Sequence, residues 1–313
     1  MSIARHVPTW EDLARAVWKK VFPRRASPLR AAGRGHLPAL VPQFLPIAFE
    51  LVYRETGEAR FFEVLRECLY ADVDYPKADR RFAKATESLA VVARTLVKEQ
   101  HRKQGRRIDA VVTLNADDLI EQAVYHLASR VRHSTGKVVR PIARSTHFFT
   151  TGSPPSPIPV YHIHGYLPSG TSESERLGEI YEHMLVFTDV QYWSTSVGAM
   201  SFANRIMGSA LSEGQCVFIG LSMTDINLLR WLALRTIERD RDEAEGRRTA
   251  TWVGRGFKAS LYQQFVRHFW IRPDSSDAGG FLAEFLRLRG VQTVAIGNWK
   301  GPGFSRLMKK CFP

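Results

Sequence analysis

The sequence predicts an α/β fold, a Rossmann-like parallel sheet with helices on both faces, plus an all-helical module near the N-terminus. Three short apolar runs that end in polar residues or glycine carry this prediction, and they begin at Ala110, Val160 and Cys216. The first run lacks apolar/polar alternation, as a strand buried on both faces does. Ligands bind at the carboxyl edge of such a sheet. We therefore expect one rim to carry the residues that end these runs: Asn115, His164, Gly220 and Ser222.

Residues 9–104 are predicted to form the all-helical module before the central strand. Thr9 has the character of an N-cap for a helix over Trp10–Val21, with Asp12 three residues on, and Pro23 ends that helix. A connection rich in Pro, Gly and Arg follows. The further helical patterns of the module cover Ile47–Tyr53, Phe61–Leu69 and Phe82–Leu96.

Residues 105–313 alternate between strand and helix patterns, which favours a parallel sheet covered on both faces. Asp117 or Asp118 is the expected N-cap of the helix after Asn115. The remaining predicted elements are a weak strand at Lys137–Arg140, a short strand or turn at Met184–Thr188, a helix through Tyr192–Ile206, a helix from Thr224, a strand at Thr249–Val253, helices at Lys258–Phe269 and Phe281–Leu288, a strand at Val291–Ile296 and a final helix.

Composition excludes several classes of protein. The chain has 313 residues, of which 44% are hydrophobic, and it has no run of about 18 apolar residues that would span a membrane. It also lacks the apolar core of a signal peptide at its N-terminus, so we expect a cytoplasmic protein. The 3 cysteines lie far apart with no Cys-x-x-Cys pair, which excludes a zinc ribbon and a disulfide framework.

The formal net charge of +13 favours anionic ligands or partners. The excess is concentrated in residues 98–107 and 130–144. A nucleic-acid-binding face is one interpretation of these segments. We favour a solvated surface or a contact with an acidic partner subunit, because no nucleic-acid recognition motif accompanies the charge.

The expected rim suits chemistry at a ribose. The amide of Asn115 can hold a sugar hydroxyl or a water, and a neutral His164 can remove a proton from either. Gly220 lets backbone approach a ligand, and Ser222 can hydrogen-bond to it. Asn115 alone would also fit an ordinary turn. His162 and His164 share a strand face and would fit a metal site, which we disfavour because no further ligand lies nearby in the sequence.

Three motifs, T-L-N-A-D-D-L-I-E, H-I-H-G-Y and F-I-G-L-S-M-T-D-I-N, resemble in this order the signatures of sirtuin-like domains, in particular the branch found in bacterial anti-phage defence systems. The resemblance includes the helical insertion before the Asn strand. It implies that Asn115 positions the water or ribose and that His164 is the catalytic base, whereas His162 is not carried over. The residues it implies at the NAD site are Ser2, Thr113, Asp117, Gly165, Gly220, Ser222, Asp225 and Asn227.

The same resemblance implies hydrolysis of NAD to nicotinamide and ADP-ribose, with NAD as substrate, a homo-oligomer and a second defence-system subunit as partner. Deacylating sirtuins carry a four-cysteine zinc module that this sequence lacks, so we expect no zinc and disfavour protein deacylation. The alternative from another class is a non-catalytic subunit that senses a nucleotide or scaffolds a defence complex.

The beginning of the chain departs from this family. Sirtuin-like domains open with a strand and a Gly-Ala-Gly-x-Ser loop whose amides cradle the NAD diphosphate. This chain begins M-S-I-A-R-H-V-P-T-W, in which only Ser2 falls where the loop has its serine. We expect about 10 to 20 further residues, one strand and a loop, to precede Met1 in the native protein.

Overall fold

A computed structural model of the protein describes residues 8–24, 45–71, 87–128, 138–143, 156–169, 185–198, 201–223, 225–253, 268–273, 279–299 and 302–312. The chain divides into two compact units, Ser2–Ala203 with Lys300–Pro313, and Asn204–Trp299. Ser2 and residues 258–267 of a predicted helix lie outside the described residues.

After an initial run of helices, the described strands are interspersed with helices. In chain order they are α1 (Trp10–Val21), α2 (Leu45–Thr56), α3 (Glu58–Tyr70), α4 (Ser88–Gln100), β1 (Val111–Thr113), α5 (Leu119–Ala128), β2 (Val139–Ile142), β3 (Ile158–His162), α6 (Asp189–Val197), α7 (Phe202–Glu213), β4 (Val217–Ile219), α8 (Ile226–Val253), β5 (His268–Pro273), α9 (Gly279–Leu288), β6 (Val291–Ile296) and α10 (Pro302–Cys311). None of the described helices is long and apolar enough to cross a membrane.

The N-terminal helical region is confirmed. Thr9 caps α1 as predicted, since its hydroxyl oxygen accepts the backbone N–H of Asp12 at 3.1 Å, and the helix ends at Val21, two residues before Pro23. Helices α1, α2 and α3 pack on one another. Their shared core contains side chains with no exposed surface, Phe49, Phe61 and Leu65 among them.

An aromatic cluster joins this helical core to the residues that precede α6. The ring of Phe187 lies 5.4 Å from that of Phe49 and 4.9 Å from that of Trp10, measured between centroids. Phe49 also makes an edge contact with Phe61 at 6.4 Å. Helix α2 packs against α6 along the same contact. The module therefore supports a segment that follows β3 in the chain.

The first sheet has strand order β1-β3-β2, and both of its strand pairs are parallel. Helix α4 packs on α5, and α5 packs on β2, so apolar residues from helices and sheet share one core: Leu89, Leu96, Val124, Leu127 and Ile158. Helix α10 packs against α4. The predicted weak strand near residue 139 is confirmed as β2.

The second sheet lies in the unit Asn204–Trp299 and has order β4-β5-β6, again with parallel pairs only. Helix α9 packs on β6. The predicted strand at Val291–Ile296 has the observed bounds of β6. The α/β class with parallel sheets flanked by helices is thus confirmed in both units.

Three predicted elements differ from the structure. Residues 249–253 continue α8 instead of forming a strand, because the charged helix-forming run before them extends the helix past their β-branched residues. The strand is instead His268–Pro273, which takes over the last two residues of a predicted helix. The single helix predicted through Tyr192–Ile206 is two helices, because Gly198 is extended at φ −77°, ψ 98° and ends α6.

Replacement of Phe49 by Ala tests the aromatic core. Phe49 is fully buried, so the Phe49→Ala variant should lose about 3–5 kcal/mol of unfolding free energy through lost burial and the cavity left behind. Chemical denaturation measures this loss. Tyr125→Ala is the matched control, since Tyr125 is 67% exposed in the same unit and should change stability by less than about 0.5 kcal/mol. Similar losses in both variants would contradict the assigned core.

Candidate functional site

The site is built on the pairing of β1 with β3. These strands are parallel neighbours in which Thr113 pairs with His162. Asn115 and His164 each lie two residues beyond that pair. Both predicted catalytic residues therefore follow the carboxyl ends of adjacent strands, whose spacing is about 4.8 Å. The structure brings these two residues to one edge of the sheet.

The backbone of Asn115 is held on both sides. Its N–H donates to the hydroxyl oxygen of Thr113 at 3.0 Å, and its carbonyl oxygen lies 3.2 Å from Nδ1 of His162. The residue itself is exposed. The main chain is fixed by β1 and β3 while the residue faces the surface, so its side-chain amide is available at the edge of the sheet.

His164 lies in a tight turn after β3 and is only 7% exposed. The turn is closed by the Gly165 N–H, which donates to the carbonyl oxygen of His162 at 3.1 Å. Gly165 has φ 88°, a conformation that glycine adopts without the cost a side chain would add. The carbonyl of His164 accepts the Val186 N–H at 2.9 Å. Its ring lies 6.1 Å from that of Tyr192 on α6, so elements on both sides position the imidazole.

Asp117 accepts the first N–H of α5, whereas Asp118 directly precedes Leu119 and occupies the N-cap position, where its carbonyl accepts the Gln122 N–H. Oδ1 of Asp117 accepts the Leu119 N–H at 3.2 Å, and the Asp117 side chain is buried. Burial raises the pKa of this carboxyl to about 6; nearby Asp118 and Glu121 push in the same direction, while the hydrogen bond from Leu119 and the charge of His162 oppose the rise.

Asp118 serves a different purpose, because its carboxylate ties the chain after β3 to α5. Oδ2 accepts the N–H and the hydroxyl of Ser169 at 3.0 and 2.8 Å, and the Gln122 amide at 3.2 Å. The hydroxyl of Tyr70 donates to the carbonyl of Leu167 and accepts the Asp118 N–H. Helix α3 is thereby joined to both strand ends that form the site.

A second histidine, His162, is buried next to the sheet edge that carries Asn115 and His164. Sequence patterns alone assign it no role at this edge. His162 has no exposed surface, and its Nε2 lies 2.8 Å from Oε1 of Glu121 on α5. Burial by itself lowers the pKa of His162, but the charge and hydrogen bond of Glu121, with help from the Asn115 carbonyl and Asp117, outweigh burial and raise it. The period of two in V-Y-H-I-H-G-Y was the available signal, since it sets His162 on the face of His164.

The four predicted site residues of the unit Asn204–Trp299 lie at the β4–α8 junction. Gly220 directly follows β4 and has φ 71°, and Ser222 is exposed. Asp225 caps α8, since its Oδ1 accepts the Leu228 N–H at 2.9 Å, and Asn227 is buried. The β1–α5 junction thus carries predicted site residues in the first unit, and the β4–α8 junction carries others in the unit Asn204–Trp299.

The same junction contains a strained residue. Met223 has φ 58° although it is bulky, and it is 1% exposed. A side chain in this region of φ is uncommon and costs about 1–3 kcal/mol, a cost often found at functional segments. The indole N–H of Trp270 on β5 holds the neighbouring turn by donating to the Leu221 carbonyl at 3.0 Å.

Comparison with protein families decides the relationship of the chain. A family model described as a SIR2-like domain matches residues 109–273, just over half of the 313 residues. The chain belongs to the SIR2-like domain family. A comparison with curated proteins found no match. The predicted resemblance to sirtuin-like domains is therefore confirmed at the level of the family.

The SIR2-like region begins at the start of the β1 segment and ends with β5. It contains both strand-to-helix junctions and the three sequence motifs, and it relates the chain to NAD-dependent function in general. Helices α1 to α4 lie before it. Within the described residues, no group of three or more His, Cys, Asp or Glu side chains is arranged to hold a metal ion.

Replacement of Asp117 by Asn tests the buried carboxyl of the SIR2-like domain. Its pKa rises from 3.8 to about 6 on folding, so the native state binds the extra proton and stability falls as pH rises through this interval. The amide that replaces the carboxyl would keep an acceptor for the Leu119 N–H without a charge. Relative to wild type, the variant should gain up to about 3 kcal/mol of unfolding free energy by pH 7, and most of that gain should vanish near pH 4.

Denaturant unfolding between pH 4 and 8 measures this difference. Asp109→Asn is the control, because Asp109 is exposed and its replacement should produce no such pH dependence. A difference between Asp117→Asn and wild type that stays constant with pH would contradict the assigned burial effect.

Proposed function

We propose that this chain hydrolyses NAD to nicotinamide and ADP-ribose. Membership of the SIR2-like family supports NAD as the substrate. The observation that carries the proposal is the position of Asn115 and His164, each two residues beyond the paired Thr113 and His162 on adjacent parallel strands. An amide and an imidazole at one strand edge are the groups that hydrolysis at a ribose carbon needs.

In this proposal the bond between nicotinamide and ribose breaks as positive charge develops on the ribose. Water adds to the ribose carbon, nicotinamide leaves as a neutral molecule, and the proton of the water passes to the Nε2 or Nδ1 of His164 acting as base. Asn115 orients the water or the ribose hydroxyl through its side-chain amide. The transition state resembles an oxocarbenium ion, so a well-held water matters more than a strong nucleophile.

The remaining predicted NAD-site residues divide by their contacts. Thr113 and Asp117 are buried and accept hydrogen bonds from the backbone N–H groups of Asn115 and Leu119. They therefore stabilise the main chain at the edge of the sheet. Gly165 allows the turn that presents His164. The other residues that the family resemblance implies at an NAD site lie at the β4–α8 junction of the unit Asn204–Trp299: Gly220, Ser222, Asp225 and Asn227.

We further propose a role in defence against phage, in which activation depletes cellular NAD and the infection is aborted. Oligomerisation and a second protein subunit would hold the activity in check until infection. The net charge of +13 fits an acidic partner subunit. These features extend the proposal from the family resemblance and do not affect the chemistry at Asn115 and His164.

Turnover of NAD by the purified chain tests the proposal. Replacing either proposed catalytic residue, as Asn115→Ala or His164→Ala, should lower the rate by about 10²–10⁴-fold while folding is retained, because each removes a group that acts in the transition state. Chromatography of nicotinamide and ADP-ribose measures the rate. Asn298→Ala and His101→Ala are matched controls at exposed positions and should keep wild-type rates.

Three results would contradict the proposal, and the first two each favour a different alternative. NAD binding without turnover would favour a nucleotide-sensing or scaffolding subunit. Consumption that requires an acylated peptide would favour protein deacylation. Equal rates in Asn115→Ala and wild type would remove Asn115 from the chemistry.

A further inference from the structure

The ring of His162 lies between two groups that only accept hydrogen bonds. Nδ1 is 3.2 Å from the carbonyl oxygen of Asn115 and Nε2 is 2.8 Å from the Glu121 carboxylate. Neutral imidazole has one N–H and cannot donate to both. With Glu121 as a carboxylate, both contacts are satisfied together only when the ring is an imidazolium. The side chains of His162 and Glu121 are 0% and 12% exposed, so water competes little with this pair.

His162 also contacts the backbone on either side of the proposed catalytic groups. Its ring faces the carbonyl of Asn115, and its own carbonyl accepts the N–H of Gly165, the residue after His164. The ring of Tyr166 packs edge-on against the imidazole at 4.6 Å. With Thr113 binding the Asn115 N–H, the peptide groups on both sides of Asn115 have fixed partners.

We propose that His162, held by Glu121, is a positioning residue that fixes the Asn115 main chain and so orients the Asn115 amide for reaction, an inference that rests on the proposed NAD hydrolysis. His162 does not touch NAD in this arrangement. It acts through Asn115, and Glu121 acts through His162. The class of role is therefore different from that of His164, which lies two residues further along the same chain segment.

The His162–Glu121 pair makes the positioning of Asn115 depend on pH. The charged groups that act on His162 are Glu121 from α5 and Asp117 from the β1–α5 connection, and they raise its pKa above 6.5 against the effect of burial. The imidazolium therefore predominates below pH 6.5 and is lost as pH rises through the higher native pKa. The single remaining N–H then goes to the Glu121 carboxylate, the stronger acceptor, and the Asn115 carbonyl loses its donor.

Two substitutions of His162 separate the contacts of its two ring nitrogens. In His162→Asn the side-chain amide takes the place of Nδ1 and can still donate to Asn115, whereas in His162→Gln it takes the place of Nε2 and reaches only Glu121. We expect His162→Gln to lower kcat by about 10–100-fold with little change in KM. In wild type, loss of the donor to the Asn115 carbonyl should make kcat fall at alkaline pH. His162→Asn should stay within a few-fold of wild type and lack this alkaline fall.

Glu121→Gln tests the partner without moving the histidine. The Gln amide can donate to Nε2, so a neutral His162 keeps its Nδ1–H for the Asn115 carbonyl. We expect this variant to retain most of its kcat and to lose the alkaline fall. If His162→Asn and His162→Gln lose activity and stability equally, or if the alkaline fall persists in Glu121→Gln, the pair only fills and neutralises the core and the inference is wrong.

A second measurement keeps the inference testable if the chain proves not to hydrolyse NAD. The side-chain amide signal of Asn115 in an NMR spectrum, assigned by its loss in Asn115→Ala, should shift as His162 titrates in wild type. It should not shift in His162→Asn or Glu121→Gln. A signal that shows no titration in wild type overturns the inference, whereas titration without NAD turnover would leave the positioning contact intact and reject only the proposed function.

Discussion

The in-register pairing of Thr113 with His162 is the constraint on which the site depends. Side chains alternate between the faces of a strand, so a slip of one residue would move every side chain of β3 to the other face. Asn115 and His164 would then no longer follow their strands at the same level, and the His162 ring would leave the Asn115 carbonyl. Register is fixed by buried residues on β3, Ile158 and Val160, which have no exposed surface.

The helices before the SIR2-like region hold the segments on which His164 depends. Tyr70 on α3 bonds the chain after β3 through the Leu167 carbonyl, and the aromatic cluster around Phe49 packs on Phe187. One residue before Phe187, the Val186 N–H donates to the carbonyl of His164. The helical module therefore contacts both chain segments that flank His164 in space, the one after β3 and the one before α6.

Sequence patterns predicted the features that are local and missed those that depend on distant groups. Buried strands, the Thr9 cap and β6 follow from runs of adjacent residues. The β-branched side chains of residues 249–253 favour a strand, but the long helix that precedes them continues through them. The motifs contain Asn115 and His164 themselves. The role of His162 was missed because one partner lies 41 residues away and the other is a main-chain carbonyl, which leaves no trace in a side-chain pattern.

Energetic considerations favour a geometric role for the His162–Glu121 pair. Moving two charges out of water costs several kcal/mol per ion, and their attraction rarely repays more than that cost, so apolar residues of the same volume often give equal or greater stability. Two apolar side chains in place of His162 and Glu121 would still pack between β3 and α5, and they would not raise the pKa of Asp117 as Glu121 does. They would, however, leave the carbonyl of Asn115 without a donor at the point where the chain turns from β1 into α5. The arrangement of donors around that one peptide group, rather than stability, is what the buried ion pair adds to the fold.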